Sequence, residues 1–449
     1  MNASRLLPSA LLVLAGVSVW VGKGVDVGPI DLQAVQVATV LLALGVLAAA
    51  SLSRRAPLTG LHPTVQTLFA ALVVAALLVC VAALLSSGAA RNDMSVVRFV
   101  ARYAMGIVLV GALLHFLRRP RSPRVLEAAL LTGAVASVGL SALGFAFPAL
   151  GEVTIRFGDR AQGLVNNPNQ LAMMLVATVP IALAAALRAP RRLHRWLLLV
   201  ALVAGVAFTG SKANLLLLAV GLPTLALLAA FLRRGVMRKA RTAFALTALA
   251  ASSGAAAYWV VLRFNPRTLA TFERLLDDPA GTSTVASRRE MWESALQTGL
   301  AHPWFGVGAD HAPFYLPHAH AHNVGIEFFL TMGAVGVAAL AALLGAWLAL
   351  ALTSAWVAYT ERGAPFAERV SLLAYAASLL AYVASNQTSD SFGGTTLPIA
   401  WIVSALALAR LDLSLRRRSA LGTPHGAARG DALGTPHDTP RGPARAGAG

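Results

Sequence analysis

Three histidines alternate with alanine near residue 320, in the run Pro317-His318-Ala319-His320-Ala321-His322-Asn323. In an extended segment alternate residues share one face, so these imidazoles could hold a zinc ion, with His302 or His311 as a fourth ligand. Against zinc, the sequence contains no His-Glu-x-x-His motif, and its single cysteine lies elsewhere in an apolar run. We therefore favour one functional histidine flanked by loop histidines of lesser consequence, and we predict no metal site.

His322 and Asn323 stand at the start of a long apolar run that contains Gly333 and Gly336. The spacing is His-Asn-x9-Gly-x-x-Gly. A histidine at this position would lie where a spanning helix meets water. The two glycines would lie about three turns deeper, where the absence of side chains lets a neighbouring helix approach closely.

This spacing resembles the signature of the O-antigen ligase (WaaL) family, which shares a superfamily with O-antigen polymerases and O-linked oligosaccharyltransferases. Further elements that resemble the superfamily occur upstream in the family's order: Arg160-Ala161-Gln162-Gly163 with Asn167-Pro168-Asn169, Ser211-Lys212-Ala213, Ser287-Arg288 with Trp292, and His302-Pro303-Trp304-Phe305-Gly306-Val307-Gly308. Together they extend from Arg160 to Gly336. The first five predicted spans and the C-terminal tail carry no such motif.

The resemblance implies a glycosyltransferase of lipopolysaccharide biosynthesis that transfers O-antigen from undecaprenyl pyrophosphate to a sugar hydroxyl of lipid A–core oligosaccharide. It implies no cofactor and direct displacement with inversion of the anomeric centre. His322 would be the general base, because an unperturbed histidine, with a pKa of about 6.5, can remove a hydroxyl proton at neutral pH. Arg288, together with Arg160, would stabilise the charge that develops on the departing pyrophosphate. The partners would be the lipid-linked donor, the lipid A–core acceptor and membrane lipids.

Cationic side chains are the expected ligands of two phosphates at a membrane surface, and arginine presents forked donors to them. Neither Arg160 nor Arg288 has an acidic residue four positions away. With Arg160, the substrate-binding candidates are Lys212, Arg102, Arg289, Asn323, His320 and Asp390.

Several of these candidates have alternatives. Lys212, in a tight outer turn, could anchor lipid or contact pyrophosphate. Arg98 can snorkel to the outer interface, whereas Arg102 lies deeper in its span and could line a phosphate pocket. Asp390 is the acidic residue of the last outer loop, and Glu327 could bond a nearby histidine or asparagine.

Three rival functions remain at this point. An O-antigen polymerase would show Arg-x10-Gly in two outer loops; Arg288 and Gly299 have that spacing, but the 148–167 segment lacks it. An O-linked protein oligosaccharyltransferase would share the histidine motif and differ in acceptor. A transporter would show interrupted helices, internal repeats and ionisable residues near the midplane. We predict uninterrupted spans with polar residues at their outer ends.

The positioning elements must be membrane-spanning helices. Of 449 residues, 57% are hydrophobic and 12% charged, against about 25% charged in soluble domains. Mean hydropathy is +0.68. We predict an all-α polytopic protein with twelve spans, near 6–22, 30–51, 65–86, 95–117, 125–147, 168–188, 195–209, 212–232, 243–262, 323–352, 369–385 and 396–412.

Basic residues are concentrated in every second segment that connects the predicted spans, and the short segments between those are poor in them. The positive-inside rule then places both termini in the cytoplasm and the motifs on the outer side of the membrane, which the resemblance implies is the periplasmic side of a bacterial inner membrane. The net charge of +18 is spread over these connections, which argues against nucleic acid as a partner. We divide the chain into helices 1–9 (1–262), a large periplasmic loop (263–322), helices 10–12 (323–415) and a disordered cytoplasmic tail (416–449). Ser287, with Glu290 three residues later, is the predicted N-cap of a helix within a cap formed by that loop.

Overall fold

A computed structural model describes most of the chain. The described residues are 3–22, 25–27, 30–53, 58–119, 121–147, 156–157, 160–165, 167–233, 235, 239–240, 243–244, 254–255, 259, 283–316, 320–388 and 394–422. Within them the helices are α1 Ala3–Ser18, α2 Ala34–Ser53, α3 Pro63–Leu85, α4 Asp93–Leu117, α5 Ser122–Ala146, α6 Pro168–Arg188, α7 Leu193–Phe208, α8 Lys212–Phe231, α9 Ser283–Ala301, α10 Val324–Thr360, α11 Phe366–Ser385 and α12 Leu397–Gly422.

Short strands and 3-10 turns complete the described secondary structure. Strand β1 (Val25–Val27) pairs antiparallel with β2 (Ile30–Leu32), and β3 (Arg156–Phe157) pairs antiparallel with β4 (Arg160–Ala161). The 3-10 turns are Ser86–Ala89 and Ala312–Phe314. The second strand pair lies in the 148–167 segment, for which the sequence suggested no regular structure.

The predicted all-α polytopic fold is confirmed. Among the described residues, eight helices are long and apolar enough to cross a membrane, and three shorter apolar helices lie within α1, α2 and α7. These helices coincide with eleven of the twelve predicted spans. Most of the remaining one, 243–262, lies outside the described residues.

The most apolar helix is not the most buried one, which differs from the pattern expected of a soluble bundle. Helix α3 is the most apolar of the candidate spans, yet much of its surface is exposed, whereas α6 and α12 are almost wholly buried. Helix α6 packs against α7 and α11, and α10 packs against α3 and α11. Apolar surface that faces outward is expected where the solvent is lipid.

Two predicted boundaries were wrong. Helix α12 continues to Gly422, so residues 416–422 belong to a helix and not to the tail. The reason is ion pairing, since Arg417 bonds Glu368 (2.7 Å) and Arg418 bonds Glu361 (3.0 Å). Residues 423–449 lie outside the described part of the chain.

The second error concerns Ser287. It lies one turn inside α9 and is not its N-cap, because the helix already begins at Ser283. Hydroxyl residues at 282–284 offer an earlier start that competes with Ser287.

A buried ion pair joins α5, α6 and α11 at the end of the bundle opposite His322. The two terminal guanidinium nitrogens of Arg188 donate to the carboxylate of Glu127, Nη1 at 3.0 Å, and Nη1 also donates to Ser371 Oγ (2.7 Å). The hydroxyl of Tyr375 donates to the same carboxylate. The carboxylate of Glu127 is therefore buried away from water, but both of its oxygens accept hydrogen bonds.

Replacing Glu127 with alanine is expected to destabilise the protein by about 3–5 kcal/mol, because the change leaves the Arg188 charge buried without its partner. Glu368→Ala, which removes the more exposed pair with Arg417, should cost less than about 1 kcal/mol. Thermal unfolding of both variants in detergent checks this difference. Equal midpoints for the two would contradict it.

Candidate functional site

Helix α10, which follows His322, is interrupted at Gly333. This residue has φ of +62° and ψ of −158°, so the backbone leaves the helical conformation there. A side chain is excluded, since a Cβ on Gly333 would lie 2.3 Å from the carbonyl carbon of Trp304. The residues before the interruption, 324–332, form a short outer half-helix that begins immediately after His322 and Asn323.

The 303–308 segment fills the interruption. It donates two backbone hydrogen bonds to carbonyls before Gly333 and accepts two from N–H groups after it, and Gly306 (φ +67°) lets it approach the backbone of Thr331. The four bonds are Val307 N to Leu330 O (3.0 Å), Gly308 N to Thr331 O (2.9 Å), Ala334 N to Pro303 O (2.8 Å) and Val335 N to Trp304 O (3.3 Å).

Our prediction of an uninterrupted span was therefore wrong, and so was the role given to Gly333. The feature that approaches it is a loop and not a neighbouring helix. A lone glycine in an apolar run is read as a small packing residue, and the sequence carries no signal that its φ is positive. The His-Pro-x-x-Gly-x-Gly stretch and Gly333, the first glycine of the Gly-x-x-Gly pair, are thus two sides of one contact, whereas a Cβ on Gly336 would meet Met332 of its own helix.

Gly333→Ala is expected to lower both activity and thermal stability, because its Cβ would strike the Trp304 backbone and its φ would be strained. Gly345 in the same helix is the matched control, since nothing lies within 4 Å of a Cβ there. Gly345→Ala should leave activity unchanged and raise stability slightly. Glycan-transfer activity and the unfolding midpoint are measured on both variants. If Gly333→Ala is as active and as stable as Gly345→Ala, the proposed contact between Gly333 and the 303–308 segment is not required.

His322 adopts an unusual backbone conformation, with φ of +52°. Asn323 follows as the N-cap of α10, where its Oδ1 accepts from the N–H of Ile326 (3.1 Å) and its Nδ2 donates to Gln387 O (3.4 Å). The N–H of Val324 donates to Asn386 O (3.3 Å). Asn323, predicted to bind substrate, thus fixes the start of the His322 half-helix against the end of α11.

The residues just before His322 are held from two sides. Trp292 Nε1 donates to the carbonyl of Ala321 (2.8 Å), and Glu327 accepts from the Ala321 N–H (3.0 Å). His320 Nδ1 lies 2.9 Å from the other oxygen of Glu327. Glu327 therefore bonds the histidine two residues before His322, and it orders the loop that ends there.

Arg288 lies one turn before Trp292 on the same face of α9. Its Nη2 donates to the carbonyl of Thr388 (3.3 Å), just past the end of α11. The Arg-x-x-x-Trp spacing thus brings Arg288 and the His322 loop to one side of α9. Arg289 is on the other side, strongly exposed and paired with Glu293 (2.8 Å), so the structure does not bring it to this group.

Arg160 reaches the same region from strand β4. Its Nε donates to the carbonyl of Thr209 at the end of α7 (2.7 Å), and its Nη2 donates to Asn169 Oδ1 in the first turn of α6 (2.7 Å). Asn167 caps α6 by accepting from the N–H of Asn169 (2.8 Å). The Asn-Pro-Asn element therefore begins α6 and orients the guanidinium of Arg160.

Lys212 is the first residue of α8, directly after the α7–α8 turn. Arg160 bonds Thr209 O, three residues before Lys212, and the positive charges of both Arg160 and Arg288 act on the Lys212 ammonium. This turn is joined to α11, since Asn214 bonds both Ser211 Oγ (3.0 Å) and Ser385 Oγ (2.7 Å). Three cations on separate elements, two of which repel the Lys212 ammonium, form a group that an anion would stabilise.

Two outer residues are placed elsewhere. Arg102 forms an ion pair with Asp310 (3.2 Å) and lines a cleft with residues of α2 and α12. His311, considered as a zinc ligand, is fully buried. One ring nitrogen lies 2.8 Å from Ala309 O, and the other accepts from the N–H of Asn92 (2.9 Å). Both ring nitrogens of His311 are therefore engaged by the backbone.

Asp390 and His318 lie outside the described residues. The partners Thr209, Asn214 and Ser385 were not predicted, because short polar residues at helix ends are common and their sequence pattern carries no distinct signal.

Comparison with known proteins gives one family. Residues 197–341 match the model of the family described as O-antigen ligase. No curated protein matches the chain. The match includes Lys212, Arg288, His322 and Gly333, whereas Arg160 lies upstream of it. It confirms the predicted superfamily: the chain is a multi-pass membrane protein that carries a domain of the O-antigen ligase and polymerase superfamily, whose members are enzymes that act on lipid-linked sugars.

Proposed function

We propose that this protein is an O-antigen ligase that transfers O-antigen from undecaprenyl pyrophosphate to lipid A–core oligosaccharide. The observation that carries the proposal is the convergence of three cations from different elements, Arg160, Lys212 and Arg288, next to the loop that ends at His322. A pyrophosphate is the anion that such a group suits, because two adjacent phosphates can share several cations.

The donor would bind with its pyrophosphate among these three cations. Two of them are arginines, whose planar forks can contact phosphate oxygens in pairs. As the glycosyl bond breaks, negative charge grows on the leaving pyrophosphate, and cations already in position stabilise it without reorganisation. Arg288 and Arg160 would carry this role, with Lys212 contributing to donor binding.

The acceptor hydroxyl is a weak nucleophile, and His322 would remove its proton as the bond to the anomeric carbon forms. Attack opposite the leaving group inverts that centre. The bonds to Ala321 and Asn323 support this role, because they fix the backbone on either side of the imidazole. His320, Asn323, Asp390 and Arg102 remain proposals as further substrate contacts, whereas Arg289, which is exposed and paired with Glu293, is not among them.

The alternation of charge in the connecting segments supports a periplasmic site and cytoplasmic termini in a bacterial inner membrane. The lipid-linked donor and the acceptor would then meet on the same side.

Transport is a poorer proposal despite the interruption of α10. In transporters, interrupted helices offer free backbone groups to ions near the midplane. Here the groups that Gly333 frees are bonded to the 303–308 backbone.

Deletion of the gene tests the proposal by its glycan products. A ligase predicts free core without O-antigen, while lipid-linked O-antigen accumulates. Core oligosaccharide that carries only a single O-antigen repeat would instead indicate a polymerase. Loss of a glycoprotein would indicate a protein oligosaccharyltransferase. Intact glycans would favour transport and contradict the proposal.

A further inference from the structure

One exposed stripe of α9 changes character along its length. Positions 289, 293, 296 and 300 lie on one helix face. The first two are Arg289 and Glu293, which form an exposed ion pair. The next two are Leu296 and Leu300, which are also exposed, Leu300 by 67%. The stripe is thus charged at one end and apolar at the other.

The apolar end continues beyond the helix. Trp304 and Phe305 follow α9 and are exposed by 67% and 45%. The buried face of the helix is a different one: Met291 and Ala295 are buried, and Gly299 contacts the ring of Phe329 in α10. The leucine stripe is therefore not the surface through which α9 packs on the protein.

The level of Trp304 along the bundle identifies what covers this surface. Its backbone abuts Gly333 and accepts from the N–H of Val335. Residues 334–360 of α10 are about 40 Å long, which matches a bilayer with its head-group layers. Placing this stretch across the bilayer puts Trp304 at the height of one head-group layer, where tryptophan is enriched in membrane proteins.

We infer that α9 enters the head-group layer obliquely, C-terminal end first, with Leu296, Leu300, Trp304 and Phe305 facing the interfacial region of the lipid, between the head groups and the upper acyl chains. Arg289 and Glu293 remain in water. The lipid surface is continuous with that of the spanning part of α10. The outer loop is then partly embedded, and not a cap above the membrane.

The consequence for the site rests on the proposed function. Arg288 is eight positions before Leu296, so it lies about 12 Å from the apolar end of the stripe. A helix anchored in this way holds Arg288 close to the membrane surface, just outside the layer of lipid phosphates. The pyrophosphate of a lipid-linked donor can then reach Arg288 while its polyprenyl chain stays in the bilayer.

Spin labels at single cysteines test the inference. The chain has one cysteine, Cys80, which is buried, so Cys80→Ala gives the background. Arg289→Cys, Glu293→Cys, Leu296→Cys and Leu300→Cys are labelled and reconstituted in phospholipid vesicles. We expect oxygen to relax the labels at 296 and 300 severalfold more than an aqueous nickel chelate does, with the opposite preference at 289 and 293.

Two outcomes would overturn the inference. Nickel access at 296 and 300 equal to that at 293 would place the whole stripe in water. Immobile labels that neither reagent reaches would mean that protein covers it. If the Cys80→Ala background does not fold, the native chain serves instead, because buried Cys80 should stay unlabelled. The measurement needs no donor or acceptor, so a failed ligase proposal would leave it unaffected.

Discussion

Replacement of His322 by asparagine is expected to reduce glycan transfer by about 10²–10⁴-fold, the usual contribution of a positioned general base. Asparagine is the sharper test than alanine, because it tolerates the positive φ that His322 adopts, and so preserves the backbone while removing the base. The measurement is the initial rate of transfer by purified protein, normalised to folded protein from size-exclusion chromatography. His322→Ala should show the same loss.

The matched control is His302→Ala, which removes an exposed histidine from the same outer segment. It should retain activity within about threefold, since no proton transfer is assigned to it. A His322→Asn protein that is folded and fully active would eliminate His322 as the base, whatever the behaviour of His302.

Arg288→Ala should be the second large effect, with kcat lower by about 10²–10³-fold, comparable to the loss of one preorganised donor to a developing negative charge. Arg288→Lys should recover part of this loss, because it keeps the charge but not the fork. The effect should fall on kcat more than on KM, since the charge on the pyrophosphate grows towards the transition state. Steady-state kinetics with varied donor measure it.

Arg289→Ala provides the comparison within the same helix. The site as proposed leaves Arg289 on the water-facing stripe with Glu293, so its loss should change the rate by less than about threefold. Equal losses at 288 and 289 would show that net positive charge on α9 matters and that the position of Arg288 does not.

Much of the fold was accessible from the sequence, because apolar runs of about 20 residues have few alternatives to spanning helices. The predicted starts of α6, α8 and α10 lie within one residue of the observed ones. The motifs that resemble the superfamily also predicted the three cations, since Arg160, Lys212 and Arg288 each belong to one of these motifs.

Features that depend on backbone conformation and long-range pairing were not accessible. The positive φ of Gly333 and the insertion of the 303–308 segment leave no mark in a run of apolar and small residues. Asn323 was predicted as a substrate contact, and only its bonds to Ile326 and Gln387 reveal a capping role. The pairing of Arg102 with Asp310 joins residues that are far apart in sequence.

The central claim is that this chain, by itself, ligates a lipid-pyrophosphate-linked glycan to lipid A–core. The most direct measurement combines purified protein, undecaprenyl-pyrophosphate-linked O-antigen and lipid A–core oligosaccharide in the presence of a chelator. We expect full transfer, with inversion at the new glycosidic bond and release of undecaprenyl pyrophosphate. Transfer that the chelator abolishes, or extension of a second lipid-linked glycan while the core stays unmodified, would contradict it.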